Sequence, residues 1–372
     1  MMQYSQVTGD GTYFPTIGGA LGNASFGKSA SFLGDPSLEV FSSAIGKWND
    51  DIAWWAMASV LGAEIGGVNA QTASGSYFTN ISTTTLKQIT EPPQLDNECG
   101  GGIYWARNRN DVLDSKARYK STITNVEAII LSMNLYFLTG EKSHLDLSIQ
   151  LYDWLVGPSN LVLEDGKVYD GALARSCDEI TRIQHTYNPG LFLGGSALLF
   201  KATGDSKYIT RSKVVLRNFE SVFVKDGIIT EQCELYGSCP VNRPQFKGVA
   251  IFGLCYLYQY SDDVEIQNTI ASWVETSAAA MLKTCNSEWG CSNFWLPNAT
   301  NPPRDVHNQI NSVFIANALS LIKKVKIDRV PLPAPEGDQG SLGRGKNDQS
   351  GAQSAYGLVG ILIWLSSLFW FF

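Results

Sequence analysis

Residues 128–144 read AIILSMNLYFLTGEKSH, and residues 191–208 read LFLGGSALLFKATGDSKY. In both, an apolar run with helical character ends at Thr-Gly followed by an acid. The same ending opens the chain as TGDGTY at 8–13, and a weaker echo, YLYQYSDDVEI, stands at 256–266. A glycine just past the last apolar residue is a helix C-cap, and an acid just beyond it sits near the next N-cap. The pattern predicts one device used repeatedly, a tight helical hairpin. Thr139 and Thr203 stand 64 residues apart, roughly the length of two helix pairs or one pair with a long loop. Hairpins repeated in this way form either an open solenoid or a closed α/α toroid. A closed toroid gathers its loops at one end around a cleft. The long connections at 94–110 and 286–306, rich in glycine and aromatics, suit loops that build a site. Alternating β-branched runs are scarce, so an all-α fold with little sheet is expected. The first copy begins only eight residues into the chain, so its helix must end near Val7. A toroid built from these hairpins would lack its first one to two helices and have an exposed seam.

The chain has 372 residues, enough for one large domain or two ordinary ones. Charged residues make up 17% and aromatics 11%, which suits a globular body with aromatic-lined surfaces. A net charge of −7 excludes the basic footprint of a nucleic-acid binder. Seven cysteines and three Asn-x-Ser/Thr triplets, at Asn23, Asn80 and Asn298, point together to the secretory pathway and a glycoprotein. Cys233 and Cys239 flank a short loop, and so do Cys285 and Cys291. Cys99 and Cys177 then remain as a long-range pair, while Cys255, in an apolar run, reads as a buried free thiol. Other pairings stay open at this point.

The chain ends in YGLVGILIWLSSLFWFF (356–372), an uncharged apolar tail with nothing after it. A spanning helix needs about 20 residues. A shorter tail, flush with the terminus, fits a GPI-attachment signal better, with a genuine tail anchor as the competing reading. Residues 329–355 read as a disordered Pro/Gly/Ser-rich linker, with Ser350 or Asn347 as the attachment site, and residues 1–328 as the folded domain. The start, MMQYSQVTGDGTYFP, lacks the basic and apolar segments of a signal peptide. A GPI tail requires entry to the secretory pathway, so the expected resolution is a truncated or misassigned start.

Residues 48–55, WNDDIAWW, place two carboxylates side by side among three tryptophans. Paired carboxylates cleave glycosidic bonds: one protonates the leaving oxygen, the other attacks the sugar or activates water. Held close, like charges push one pKa up and keep one acid protonated. Trp54 and Trp55 would offer flat faces to sugar rings. The plain alternative is an Asn-Asp-Asp N-cap followed by core tryptophans. ECGGGIYWARN (98–108) sets three glycines, which allow close backbone approach to a ligand, before Trp105. IQHTYNPGLFLGG (183–195) sets Gln184, His185, Tyr187 and Asn188 before a glycine-rich helix, where His185 and Asn188 also read as loop or capping groups. Histidines at 144, 185 and 307 show no ligand spacing, so no metal and no other cofactor is expected.

In order, NDD (49–51), CGGGIYW (99–105), YKSTITN (119–125), YDG (169–171), QHTYNPGLFLGG (184–195) and FKG (246–248) resemble glycoside hydrolase family 76, the endo-α-1,6-mannanases, in its GPI-anchored fungal cell-wall branch. The resemblance covers most of residues 1–322 and implies an (α/α)6 barrel with retaining chemistry on α-1,6-linked mannose. It implies Asp50 as nucleophile, Asp51 as acid/base, and Trp54, Trp55, Trp105, Asn125, Tyr187 and Asn188 as cleft residues. Implied substrates are cell-wall mannan or GPI glycans, with β-glucan as a possible acceptor in transglycosylation, at the plasma membrane or wall. The family usually has Trp at position 185, Gly at 126, a basic residue near Phe252, and glycines around VHNQINS (306–312). These departures leave a second expectation, a catalytically inactive, GPI-anchored mannan-binding wall protein.

Overall fold

The computed structural model describes residues 1–24, 48–72, 75–110, 116–174, 177–236, 239, 245–297 and 306–327. The linker, the apolar tail, Ser350, Asn347 and Asn298 lie outside them. Among the described residues twelve α-helices follow in order: α1 (Met2–Thr8), α2 (Phe14–Ala24), α3 (Asn49–Gly66), α4 (Phe78–Thr90), α5 (Thr122–Thr139), α6 (Lys142–Val156), α7 (Tyr187–Thr203), α8 (Lys207–Phe223), α9 (Gln232–Leu235), α10 (Phe246–Tyr260), α11 (Val264–Leu282) and α12 (Val306–Ile322). The glycine of each repeated Thr-Gly is a helix C-cap, as expected. Gly9, Gly140 and Gly204 cap α1, α5 and α7 in the left-handed region, at φ 81°, 72° and 68°. Their N–H groups reach back to Ser5, Tyr136 and Phe200 at 2.8–2.9 Å. The echo at 256–266 ends differently: Ser261 is extended, and Asp263 caps α11 by accepting from the amides of Glu265 and Ile266.

Six helices, α1, α3, α5, α7, α10 and α12, pack neighbour to neighbour into an inner ring, and α2, α4, α6, α8 and α11 form an outer layer. The sequence separates the layers. Inner α5 is buried without a break from Thr122 to Leu135, on every face of the helix. Outer α8 buries one stripe, Tyr208, Ser212, Val215, Phe219 and Phe223, at helical spacing. The ring closes where an open seam was expected. Asn317 of α12 donates to Gln3 of α1, Ile327 donates its amide to Thr8, and Tyr4, Tyr13 and Ala316 form a small buried cluster. Seven residues of α1 suffice to fill the sixth place.

Inner helices α7 and α10 make the tightest pair. A Cβ on Gly253 would stand 2.0 Å from the carbonyl oxygen of Gly190, so only glycine allows this approach. Sheet is sparse, as expected. β1 (Tyr119–Ser121), β2 (Gly171–Leu173) and β3 (Ile180–Thr181) form one antiparallel sheet, and β4 (Val224–Lys225) and β5 (Ile228–Ile229) a hairpin. The tight hairpins turn each outer helix back, so the inner helices run in one direction. Their N-termini, with their positive dipole ends, gather at the end that carries β1–β3.

All three expected disulfides form, Cys99–Cys177, Cys233–Cys239 and Cys285–Cys291, and Cys255 is free and buried. Asn23 in α2 and Asn80 in α4 are exposed. Among the described residues no helix is long and apolar enough to cross a membrane, and no group of three His, Cys, Asp or Glu is placed to hold a metal ion.

Candidate active site

Asp50 and Asp51 occupy the first turn of α3, at the end where the inner N-termini meet. The expected Asn-Asp-Asp cap is shifted by one. The N-cap is the extended residue Trp48, and Asn49 makes no capping bond. Asn49 instead clamps loops: its amide donates to Gln94 Oε1 and the Tyr104 carbonyl at 2.9 and 2.8 Å, and its backbone N–H to the Trp105 carbonyl at 2.8 Å. That clamp lays Trp105 flat on Trp48, with ring centroids 3.9 Å apart. The Trp105 side chain hydrogen-bonds to Asp50, and the Asp51 amide donates to Asp50 Oδ1 at 3.1 Å. These donors, with the helix N-terminus, favour an ionised Asp50.

Burial and the neighbouring Asp51 nevertheless push Asp50 up to about 7, and burial pushes Asp51, which opens more to solvent, up to about 6. Both shifts favour a proton on the pair near neutral pH. The pair titrates as a unit, so that order does not assign the roles. The convergence of donors on Asp50 does distinguish the two residues.

The glycines of CGGGIYW serve a different end from the one expected. Gly100, Gly101 and Gly102 all have positive φ, and a Cβ on Gly102 would meet the Trp154 ring at 2.5 Å. They let the loop close over Trp154, whose indole donates to the Cys99 carbonyl at 3.0 Å. Asn125, expected to line the cleft, is wholly buried and spent on that loop: Oδ1 accepts from Ile103 N at 2.8 Å, and Nδ2 donates to the Ile103 and Ser121 carbonyls. Lys120 completes the clamp with Asp96 and the carbonyls of Glu98 and Gly101. Trp54 and Trp55 are half-buried and pack on the main core.

Across the ring, Tyr187 stacks on Phe246 at 4.1 Å, with His185 against both. Burial, with the charges of Asp170 and Asp50, holds the pKa of the Tyr187 hydroxyl well above the ordinary value. Asn188 is buried; its Nδ2 donates to Asp170 Oδ1 at 3.4 Å, and Tyr119 donates to Asp170 Oδ2 at 2.8 Å. Asn188 Oδ1 and Gln184 Oε1 have no hydrogen-bond partner among the described residues. The structure thus brings Asp50, Asp51, Trp105, Tyr187 and Asn188 to one end of the ring. Asn125 joins them only through the loop it holds.

Sequence reasoning missed Trp48, Asp170 and Glu127. Glu127 lies on α5, fully buried, and neither carboxyl oxygen has a hydrogen-bond partner among the described residues. Burial and the charges of Asp50 and Asp51 raise its pKa well above 4.5. The native state therefore holds a proton that the unfolded chain releases, and stability falls as pH rises from about 4.3 towards the raised value, by up to about 1.4 kcal/mol per pH unit. Glu127→Gln removes that loss. The melting-temperature advantage of the variant over wild type should grow between pH 4.5 and 7.5. Parallel melting curves would show that Glu127 is not held neutral.

The inner and outer helices make an α/α toroid with a pair of carboxylates at the mouth of its inner ring. Residues 1–328 match the profile of Glycosyl hydrolase family 76, and the chain belongs to that family. It is 32% identical to mannan endo-1,6-alpha-mannosidase DCW1 of Saccharomyces cerevisiae, over 64% of this chain and 52% of that one. It is 31% identical to the DFG5 enzyme of the same yeast, over 66% and 53%. The chain thus spans about half the length of the curated relatives it matches. Among solved structures, Dfg5 of Chaetomium thermophilum in complex with glucosamine superposes with a TM-score of 0.76 at 24% identity, covering 93% of this chain and 82% of that one. An inactive α-1,6-mannanase variant from a Salegentibacter species, in complex with α-1,6-mannotriose, superposes at 0.62 with 19% identity, covering 74% and 76%. These likenesses bear out the (α/α)6 architecture.

Proposed function

We propose that the protein is a retaining mannan endo-1,6-α-mannosidase or transglycosidase, with Asp50 as nucleophile and Asp51 as acid/base. The observation that carries this is the Asp50–Asp51 pair at the inner N-termini, beside the stacked Trp48–Trp105 wall and with the Trp105 side chain bonded to Asp50. The names of the yeast relatives support the substrate class. Asp50 attacks the anomeric carbon while Asp51 protonates the departing oxygen; Asp51 then takes a proton from water, or from an acceptor hydroxyl, as that oxygen displaces Asp50. The second outcome is transglycosylation. Trp105 and Trp48 bound one side of the sugar, and Tyr187 and Phe246 the other. Asn188, backed by Asp170, meets sugar hydroxyls. The apolar tail and three sequons support GPI anchoring at the fungal cell surface, where mannan or GPI glycans serve as donor and β-glucan as acceptor. Incubation with α-1,6-mannotetraose tests the reading: shorter or longer mannooligosaccharides are expected. Binding without any turnover would leave a mannan-binding wall protein.

A further inference from the structure

Outer helix α4 ends beside the cleft and begins far from it. In its last turn the Gln88 carbonyl accepts from Arg107, which also donates to Asn49, the residue before Asp50. The 13 residues of α4 put its first turn about 20 Å from there. Tyr77 is the N-cap, and the first helical bond runs from the Ile81 amide to the Tyr77 carbonyl at 3.1 Å. The Tyr77 side chain makes no capping bond, and the residue is 40% exposed. Asn80 stands three positions on, at N3, and is exposed. N-cap and N3 side chains are neighbours in the first turn of a helix, the arrangement that a capping box uses. Val68, 44% exposed, is held to the same turn, where its carbonyl accepts from Thr79 Oγ1 at 3.0 Å. Asn80-Ile81-Ser82 is an acceptor triplet for an N-linked glycan.

We propose that Asn80 carries an N-linked glycan whose first N-acetylglucosamine packs on the Tyr77 ring. The assignment rests on the secretory reading above, not on the mannanase reading. An N-cap position favours Ser, Thr, Asp or Asn, whose side chains bond to the first turn. Tyrosine forgoes that bond here and offers an apolar face with a polar edge, which suits the C–H face and hydroxyls of a sugar. The glycan is tethered within the same turn, so it loses little freedom when it settles on the ring. In the attachment step the Asn80 amide nitrogen bonds to the anomeric carbon of an oligosaccharide carried on a lipid diphosphate. The bond from that carbon to the diphosphate oxygen breaks, and a proton leaves the nitrogen. The hydroxyl of the triplet is on Ser82, which is fully buried and donates to the carbonyls of Ala56 in α3 and Phe78 at 3.1 and 2.9 Å. Attachment therefore precedes the docking of α4 on α3, and the folded protein leaves Asn80 on the surface.

Full-length protein is purified from the cells that make it, and the Asn80 peptide is weighed with its glycan and after trimming to the first sugar. Melting temperatures are then compared in a cycle of Tyr77→Ala and Asn80→Gln. Tyr77→Ala should lower the melting temperature of the glycosylated protein by about 2 °C and leave that of the Asn80→Gln protein unchanged. Tyr77→Trp should restore the glycosylated form, and trimming to the first sugar should keep the effect. An equal shift from Tyr77→Ala in both backgrounds would overturn the contact with Tyr77, and with it the proposal. A bare Asn80 beside an occupied Asn23 or Asn298 would overturn the proposal and leave the secretory reading intact. Bare asparagines at all three triplets would overturn both.

Discussion

Asp51→Asn and Asp50→Asn should each lower turnover of α-1,6-mannotetraose by about 10³-fold or more, for different reasons. Asp51→Asn removes the proton that the leaving oxygen needs. A mannoside with a good leaving group, such as a dinitrophenyl aglycone, needs no such proton, so its first chemical step should survive in this variant. Asp50→Asn removes the attacking oxygen, and no leaving group restores it. Neither change should unfold the protein. Asparagine keeps the shape, and it relieves the like-charge contact that helps to raise Asp50 to about 7. Melting temperatures at or above wild type, beside lost turnover, are therefore expected. Equal rescue of both variants by the activated substrate would contradict the assignment of roles.

Lys247→Met should cost about 3–5 kcal/mol of folding stability, read as a lower denaturant midpoint. Lys247 is fully buried, and Glu234 is 2% exposed. Its ammonium binds both Glu234 oxygens and the Asn293 carbonyl, and lies 4.0 Å over the Trp295 ring. Burial lowers the pKa of Lys247, so the pair stands only while each charge has the other. Removing the lysine strands a buried carboxylate. Glu234 also accepts from the Glu231 amide, and Glu231 holds Thr186, one residue before Tyr187. The loss should thus reach the cleft and raise KM as well. Adding Glu234→Gln to Lys247→Met should recover much of the stability, because the stranded charge is gone. A double variant no better than the single one would contradict this account of the pair.

What the sequence disclosed follows from what each residue does locally. Thr-Gly-acid is a cap, and caps are written within a few residues, so the hairpins were legible; that they form a toroid and not an open solenoid came from the motifs that resemble family 76. The short disulfide loops were legible by spacing, and the long-range Cys99–Cys177 bond by what remained. Closure of the ring was not, because it depends on Gln3 meeting Asn317 across nearly the whole chain. Asp50 and Asp51 stood out as adjacent acids among tryptophans. Asn125 was misplaced because an amide in a loop-facing motif looks the same whether it binds sugar or backbone; only its bonds to Ile103 and Ser121 decide. The glycines at 100–102 misled in the same way, since a ring of the same chain is as good a reason for close approach as a ligand. Glu127 did leave a signal, a lone acid in the apolar run of α5. Its meaning required α3 to be placed against that face.

The most direct test of the central claim is the anomeric form of the first product. Wild-type protein is mixed with α-1,6-mannotetraose and followed by proton NMR before mutarotation sets in. A retaining Asp50–Asp51 pair predicts that the new reducing end appears first as the α-anomer and drifts to the equilibrium mixture. A β-anomer at first appearance, or α-product formed undiminished by Asp50→Asn, would contradict it.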